Sequence, residues 1–155
     1  MITRAVEETD AQAWTRMRHL LWPDEDRAEL ASDVASYFAG TSKFIVAAFI
    51  ALDDSGVLVG FLELGLRPYA EGCIASPVPH VEGWLVLEQA RGRGVGRSLI
   101  SAAEGWATAH GYRELTSDGL LGNELGYRAH IGAGFVEVER LIAFHKTLHG
   151  DGPVN

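Results

Sequence analysis

The sequence predicts an α/β domain in which helices cover both faces of a mixed sheet. Two apolar runs joined by an acidic, glycine-containing turn at residues 53–56 indicate a β-hairpin. Downstream, short apolar runs alternate with segments of helical spacing, which is typical of layered α/β domains. A chain of 155 residues suits one domain. We expect that domain to occupy residues 1–149 and a flexible tail to occupy residues 150–155.

The first third of the chain predicts one strand and two helices. Residues 2–7 are expected to form the strand. Asp10 is a candidate N-cap for a helix over residues 11–21, where apolar side chains recur on one face. The Trp22-Pro23 pair ends this helix, and a second helix is expected over residues 26–39.

The rest of the chain predicts five strands and two helices. The strands are expected over residues 43–52, 57–66, 81–87, 113–118 and 135–148, and the helices over residues 95–110 and near 123–132. Residues 135–148 are assigned as a strand because apolar and polar residues alternate along them.

The charge balance and the cysteine content exclude several classes of protein. The 21 acidic and 13 basic residues give a formal net charge of −8, which disfavours nucleic-acid binding and favours a cationic ligand. Cys73 is the single cysteine, so an internal disulfide is excluded, and a structural role in a loop is favoured over a nucleophilic one. No apolar run approaches the ~20 residues that span a bilayer, and the first residues do not resemble a secretory signal. We therefore expect a soluble cytoplasmic protein with no nucleic-acid or membrane partner.

No metal site is expected. There is no cluster of cysteines that could hold structural zinc. His145 and His149 are four residues apart, but their segment is predicted to be a strand, so the helical spacing of metal ligands does not apply.

A glycine- and arginine-rich loop at residues 91–96 carries the strongest chemical signal. It follows an apolar strand and opens a helix, where glycines let the backbone approach a ligand and free N–H groups bind phosphate. Arg91, Arg93 and Arg97 concentrate positive charge there. The alternative is a glycine-rich turn with solvated arginines. A P-loop lysine is absent and the Rossmann glycine spacing differs, so neither of those nucleotide sites is predicted.

This loop resembles the acetyl-CoA loop of the GNAT superfamily of N-acetyltransferases, whose pattern is R/Q-x-x-G-x-G/A. The matching residues occur in the correct order over residues 81–135; they are Arg91, Gly94, Gly96, Asn123, His130 and the pair Gly134-Phe135. The resemblance implies a mostly antiparallel central sheet within the mixed α/β fold. It also implies acetyl-CoA as cosubstrate.

Within that superfamily the chain is similar, nearly end to end, to the aminoglycoside 6′-N-acetyltransferases. The residues that carry this similarity are Leu21-Trp22-Pro23, Tyr69, Gly72-Cys73, Ser76-Pro77-Val78, Glu82-Gly83, Ser117-Asp118 and Glu139-Arg140. The chain departs from the family at three places. Family members often have Thr in place of Gly119 and Ser in place of Gly126, and they have a histidine where this chain has the acidic residues 24–26. These differences affect the expected substrate preference more than the expected reaction. The alternatives are a GNAT enzyme for another cationic amine, such as a polyamine or a protein N-terminus, and a non-catalytic acetyl-CoA sensor.

The resemblance also implies which residues bind acetyl-CoA. The backbone of residues 84–86 is expected to pair with the pantetheine arm, the amides of residues 91–97 to hold the pyrophosphate, and Asn123 to contact the pantetheine. The residues so assigned are Trp84, Leu85, Val86, Arg91, Gly92, Arg93, Gly94, Val95, Gly96, Arg97 and Asn123.

Transfer of an acetyl group to an amine needs a neutral amine but no enzyme nucleophile, provided that amine and thioester are held in contact. Glu82 is the main candidate base; it is expected to share a strand face with Trp84 and Val86, just upstream of the cofactor segment. Asp118 ends the next strand, where open α/β sheets bind ligands, and is a second candidate. His130 stands where many GNAT enzymes have a tyrosine near the sulfur, so it is a candidate proton donor. A structural role is the alternative for each.

The substrate site is expected to combine carboxylates with flat apolar surface, because aminoglycosides carry several ammonium groups on sugar rings. The family-matched positions are Trp22, Tyr69, Glu82, Asp118 and Glu139. Glu25 is a further candidate, against the alternative that its acidic run is a solvated turn. Related enzymes are often homodimers, so we expect the last strand to complete a sheet with a second copy.

Overall fold

The computed structural model describes residues 1–149; the predicted tail at residues 150–155 lies outside the described residues. The strands are β1 (Ile2–Ala5), β2 (Ala47–Leu52), β3 (Leu58–Arg67), β4 (Val78–Val86) and β5 (Thr116–Ser117). The α-helices are α1 (Ala11–Leu21), α2 (Arg27–Phe38), α3 (Val95–Ala109) and α4 (Glu124–Gly132), with short 3₁₀ turns at Glu8–Asp10 and Glu88–Ala90. The strands form one sheet in the order β1-β2-β3-β4-β5, in which only the β4–β5 pair is parallel. The predicted mixed, mostly antiparallel α/β fold is confirmed.

Alternation along the central strands builds one apolar core on each face of the sheet. On β2, Phe49 joins the core that contains Leu99 of α3, whereas its neighbour Ile50 joins the core that contains Trp14 of α1 and Val34 of α2. Successive strand residues point to opposite faces, so a run buried on both sides reads as continuously apolar. The prediction of helices on both faces is therefore confirmed. No helix within residues 1–149 has the length and apolarity needed to span a membrane.

The helices begin and end close to the predicted residues because their end signals are local. Asp26 caps α2 by accepting the N–H groups of Ala28 and Glu29 at 2.8 and 3.0 Å. Asp10 is the N-cap residue of α1, as predicted, but its side chain does not cap the helix: its carboxylate accepts two hydrogen bonds from Arg4, at 2.7 and 3.0 Å, and one from the N–H of Glu7. Asp10 thus joins β1 to the start of α1 rather than closing the helix end.

The predicted strand at residues 135–148 is also wrong for the single chain. No strand is assigned after α4 up to residue 149. Apolar side chains in this segment, among them Val136, Ile142 and Phe144, are exposed. An alternating segment forms a strand only beside another strand, and no strand within residues 1–149 pairs with this one.

Two irregularities of β4 shape the region where functional residues are expected. Val81 pairs with Leu64 and Gly83 with Glu63, so Glu82 is the extra residue of a β-bulge. On its other side β4 pairs with β5 only at His80 and Val81. Beyond that point the two strands separate, and the edge of β4 toward Val86 has no neighbouring strand among the described residues.

Candidate active site

An arginine joins the two carboxylates that the sequence singled out. Arg67, the last residue of β3, donates from Nε and Nη2 to the two oxygens of Glu82 at 3.0 and 2.9 Å. Its Nη1 lies 3.6 Å from Oδ2 of Asp118, which follows β5. The hydrogen bonds to Glu82 raise the pKa of Arg67 above its usual value, so the guanidinium stays charged. The structure therefore brings Glu82 and Asp118 into one cluster, and Arg67 is a member of it that the sequence did not indicate.

The β-bulge decides which face Glu82 occupies. Glu82 points to the face that carries α1 and α2, where it meets Arg67 and lies over Gly65. Trp84 and Val86 instead pack in the core that contains α3. The expectation that Glu82 shares a face with Trp84 and Val86 is therefore wrong, because one extra strand residue shifts the alternation by one.

Gly65 opposes the bulge because a larger residue would not fit. A Cβ at this position would lie 3.0 Å from Oε1 of Glu82 and 2.9 Å from the carbonyl oxygen of Phe44. The second contact is with backbone, which cannot move as a side chain can. Glycine at position 65 thus provides the space in which the Glu82 carboxylate lies.

His80 lies beneath this cluster on β4 and is only 3% exposed. Its Nδ1 is hydrogen-bonded to Oγ1 of Thr116 at 2.8 Å, and its Nε2 lies 3.5 Å from Oδ2 of Asp118. Burial lowers the pKa of His80, the neighbouring Arg67 lowers it further, and the two carboxylates oppose these effects. His80 is therefore neutral at physiological pH. The sequence did not indicate His80, because its position beside Asp118 depends on the pairing of β4 with β5.

Of the other predicted substrate positions, Trp22 contacts a neighbour of Glu82 and the remaining three are exposed. Trp22 lies against Gly83, the residue after Glu82, and its ring has the Arg18 guanidinium 5.2 Å from the ring centre. Tyr69 is 68% exposed in the loop after β3. Glu25 is exposed in the turn before α2, and Glu139 is exposed in the segment after α4. Trp22 is thus beside the acidic cluster, while the hydrogen bonds and ion pairs described for residues 1–149 do not join Glu25 or Glu139 to it.

The predicted cofactor strand keeps one open edge. Residues 84–86 pair with β3 on one side and, in the described part of the chain, have no neighbouring strand on the other. Arg91 reaches back from the glycine turn and donates from Nε to the carbonyl oxygen of Val86 at 3.1 Å. The indole Nε1 of Trp84 is buried and has no hydrogen-bond partner within residues 1–149. This edge can accept an extended molecule as a further strand would be accepted.

The glycine turn has the backbone conformation that close approach to an anion requires. Gly92 and Gly94 have φ angles of 73° and 80°, in the left-handed region that favours glycine. Gly94 is the N-cap of α3 and offers no side-chain cap, so the first N–H groups of the helix are free to bind a ligand. Gly96 lets α3 approach β4, because a Cβ there would lie 3.1 Å from the ring of Trp84. Arg97 donates to the carbonyl oxygen of Gly132 at 2.7 Å and so joins α3 to α4.

Asn123 and His130 lie at the two ends of α4. Asn123 is the N-cap of the helix, and its Oδ1 accepts the N–H of Gly126 at 2.9 Å. His130 is held through both ring nitrogens, Nδ1 by the carbonyl of Gly126 and Nε2 by the hydroxyl of Ser117, each at 2.7 Å. Because a carbonyl only accepts, Nδ1 carries a proton, and Nε2 lies within hydrogen-bond distance of the Ser117 hydroxyl. These contacts support a positioning role, and the role of His130 as proton donor stays a prediction.

Cysteine and histidine chemistry receives little support elsewhere. Burial and the nearby Glu114 raise the pKa of the Cys73 thiol, which disfavours the nucleophilic thiolate. Within residues 1–149, no three His, Cys, Asp or Glu side chains are grouped so that they could hold a metal ion.

Comparison with known proteins agrees with this arrangement. The model of the acetyltransferase (GNAT) family matches residues 14–131. The aminoglycoside N(6′)-acetyltransferase type 1 of Klebsiella aerogenes is 42% identical over 147 residues, which are 95% of this chain and 97% of that protein. The corresponding protein of Stenotrophomonas maltophilia is 38% identical over 94% of this chain and 92% of its own.

Solved structures show the same fold. AAC(6′)-Iy in complex with the bisubstrate analogue CoA-S-monomethyl-acetylneamine has a TM-score of 0.86 and 34% identity, over 95% of this chain and 98% of that one. The apo 6′-N-acetyltransferase AAC(6′)-IG from Acinetobacter haemolyticus has a TM-score of 0.84 and 29% identity, over 96% of this chain and 100% of that one. With the glycine turn, the open strand edge and these matches, the chain belongs to the GNAT acetyltransferase family.

Proposed function

We propose that this protein transfers the acetyl group of acetyl-CoA to the 6′-amino group of aminoglycoside antibiotics and thereby confers resistance to them. The observation that carries the proposal is the similarity of nearly the whole chain to aminoglycoside N(6′)-acetyltransferases, at 42% identity for the Klebsiella aerogenes protein. The CoA-containing bisubstrate analogue bound by AAC(6′)-Iy supports the same pair of substrates. A net charge of −8 suits a polycationic acceptor, since it attracts the acceptor to the protein.

Acetyl-CoA, when bound, supplies an acetyl group activated as a thioester. The open edge of β4 fits the pantetheine arm, and Asn123 at the start of α4 is assigned as a further contact. The glycine turn and the first turn of α3 fit the pyrophosphate, because the helix start offers free N–H groups, its first turn carries no acidic residue, and arginines flank it. The proposed cofactor residues are Trp84, Leu85, Val86, Asn123 and the whole of residues 91–97, Val95 through its backbone.

On the acceptor side, Glu82 and Asp118 bind the substrate ammonium and remove its proton, because an amine attacks only when it is neutral. Arg67 holds both oxygens of Glu82, so Glu82 serves mainly as a fixed negative charge that orients the ammonium. Asp118 has a 73% exposed side chain and only a longer contact with Arg67, so its oxygens remain available for the proton. The direct attack of the amine then requires no enzyme nucleophile.

Further side chains complete the proposed acceptor site. Trp22 offers a flat apolar surface beside Glu82 for a sugar ring. Tyr69, Glu25 and Glu139 are assigned to the outer contacts, where exposed carboxylates attract the remaining ammonium groups. His130 is assigned to holding Trp84 and β5 in place, since its ring lies edge-on to Trp84 with centroids 5.2 Å apart.

We also infer that the protein acts as a homodimer in the cytoplasm. Exposed apolar side chains along residues 136–148 support a second copy as their partner. The use of acetyl-CoA, together with the single free Cys73, supports a reducing compartment.

The reaction is tested by measuring thiol release from acetyl-CoA with a panel of acceptors. We expect turnover with kanamycin-type aminoglycosides that carry a 6′-amino group and none with a 6′-hydroxyl analogue, which lacks the attacking amine. Polyamines and peptides with a free N-terminus complete the panel. Turnover with these alone, and with no 6′-amino aminoglycoside, would contradict the proposal.

The same assay separates the acceptor residues from the cofactor residues. Glu82→Gln and Asp118→Asn are each expected to lower kcat by about 100-fold, the usual size of an acid–base contribution. Because neither side chain lies at the open edge of β4, the Kd of acetyl-CoA measured by calorimetry should stay unchanged. Full activity in both variants would show that the acceptor residues are wrongly assigned.

A further inference from the structure

His80 is a buried titratable group whose two ring nitrogens have different surroundings. One nitrogen takes part in a chain of hydrogen bonds between β4 and β5. The other, Nε2, is buried, has no hydrogen-bond partner within residues 1–149, and lies 3.5 Å from Oδ2 of Asp118. A buried polar atom without a partner is costly, so such an atom beside an active site indicates a function.

The hydrogen-bond chain fixes which nitrogen carries the proton. The hydroxyl of Thr116 donates its one proton to the carbonyl oxygen of Pro79 at 3.1 Å. It must therefore accept at its contact with His80 Nδ1, 2.8 Å away, and Nδ1 carries the hydrogen in the neutral ring. The lone pair of Nε2 consequently lies on the side of the Asp118 carboxylate.

Three charged side chains, from β3, from β4 and from the residue after β5, lie around the His80 ring. Arg67 on β3, Glu82 on β4 and Asp118 after β5 surround His80. Burial and Arg67 hold the pKa of His80 below its usual value, so the ring is neutral at physiological pH. His80 is thus an unprotonated base directly behind the most exposed carboxylate of the cluster.

We propose that His80 is a positioning residue that receives, through Asp118, the proton released by the substrate ammonium. This proposal rests on the proposed acetyl transfer. The ammonium N–H bond breaks and a proton joins Oδ2 of Asp118; that O–H bond then breaks and the same proton joins Nε2 of His80. One proton moves in total, no electrons are transferred, and the carboxylate of Asp118 is restored.

The arrangement suits this transfer because no group has to move out of place. The imidazolium donates through Nδ1 to Thr116, as the neutral ring does, and through Nε2 to the restored carboxylate of Asp118. The negative charges of Glu82 and Asp118 favour the imidazolium, against the opposing effects of burial and Arg67. With the proton on His80, Asp118 keeps its negative charge opposite Arg67, whereas a proton left on Asp118 would remove that ion pair.

The test uses His80→Asn, which retains an N–H that can reach Thr116 but cannot take up a proton. We expect kcat with a 6′-amino aminoglycoside to fall by about 100-fold while the KM for acetyl-CoA is unchanged. In the native protein kcat should fall with decreasing pH as His80 becomes protonated, and this acidic limb should move to lower pH in the variant. His110→Asn, on the exposed C-cap of α3, is the matched control and should leave kcat and its pH profile unchanged.

Two results would overturn the proposal. One is a native pH profile in His80→Asn, whatever its kcat, because a purely structural loss lowers kcat without shifting the acidic limb. The other comes from the unaltered protein: long-range ¹H–¹⁵N spectra at pH 7.5 should show the His80 proton on Nδ1, and a proton on Nε2 contradicts the mechanism. The spectra do not depend on turnover, so failure of the proposed reaction and failure of this inference are distinguishable.

Discussion

At the scale of the residue, Gly83 controls the apolar wall of the acceptor site. A Cβ at this position would lie 2.7 Å from Cη2 of Trp22 and 3.3 Å from Cδ2 of Leu21, so Gly83→Ala forces the indole ring to move. We expect the KM for aminoglycosides to rise about tenfold, equivalent to ~1.4 kcal/mol of lost binding, while the KM for acetyl-CoA stays unchanged. Steady-state kinetics with each substrate varied in turn measures both effects.

Gly105→Ala is the matched control for this substitution. Gly105 lies in α3 with no heavy atom within 4 Å of an added Cβ, so the change should leave both KM values unchanged. It should also stabilise the helix by about 0.5–1 kcal/mol, since alanine is the better helix former. An unchanged aminoglycoside KM in Gly83→Ala would remove Trp22 from the substrate site.

Single residues of the cluster could be predicted from sequence only where a motif names them. Glu82 and Asp118 were found through the family resemblance, and the structure brings both to Arg67. Arg67 and His80 carry no such signal, because their roles depend on which residues β3, β4 and β5 place side by side. The bulge at Glu82 changes that register by one residue, and nothing in an apolar run reveals where an extra residue is inserted.

At the scale of the element, a buried ion pair joins the first two helices to the sheet. Glu63 of β3 is 1% exposed and accepts hydrogen bonds at 2.7 Å from both Arg18 Nε and Trp14 Nε1 of α1. Arg18 also donates to the carbonyl oxygen of Leu30 and to Asp33 on α2. Glu63 on β3 pairs with Gly83 on β4, the residue after Glu82, so this network stabilises the strands that carry the acceptor site.

Glu63→Gln removes the buried negative charge and leaves Arg18 with only the more exposed Asp33. Breaking a buried ion pair in this way typically lowers the free energy of unfolding by about 3–5 kcal/mol. We expect a value near the lower figure, because Asp33 remains as a partner of Arg18. Urea denaturation measures the free energy of unfolding. Glu104→Gln, on the exposed face of α3, should change it by less than about 0.5 kcal/mol. Equal stability of the two variants would contradict a structural role for the network.

Helices could be predicted more accurately than strands, because helix ends depend on residues that are close in sequence and strand ends depend on a neighbouring strand. The boundaries of α1 and α2 agree with the sequence to within one residue, because caps and helical spacing act over a few residues. The boundaries of β4 and β5 differ more from the predicted ones, because the ends of a strand depend on where the neighbouring strand ends. The segment after α4 shows the same rule: it has strand periodicity, but no strand up to residue 149 lies beside it.

At the scale of the whole molecule, that segment supports the proposed assembly of two copies. Apolar side chains are exposed along it, up to 91% for Phe144, and exposed apolar patches are typical of interfaces. The second copy that we propose would supply the missing neighbour, and a two-fold axis would bring the same segment of each chain to the interface. Light scattering after gel filtration should therefore give about twice the chain mass of 16.8 kDa.

The substitutions Ile142→Asp and Phe144→Asp, made together, test whether this segment forms the interface. Burying two carboxylates against apolar surface is unfavourable, so the double variant should elute as a monomer. Ile74→Asp is the control, because Ile74 is 99% exposed outside the segment and should leave the dimer intact. A monomeric native protein at micromolar concentration would refute the dimer. A dimeric double variant would instead show that the two copies meet elsewhere.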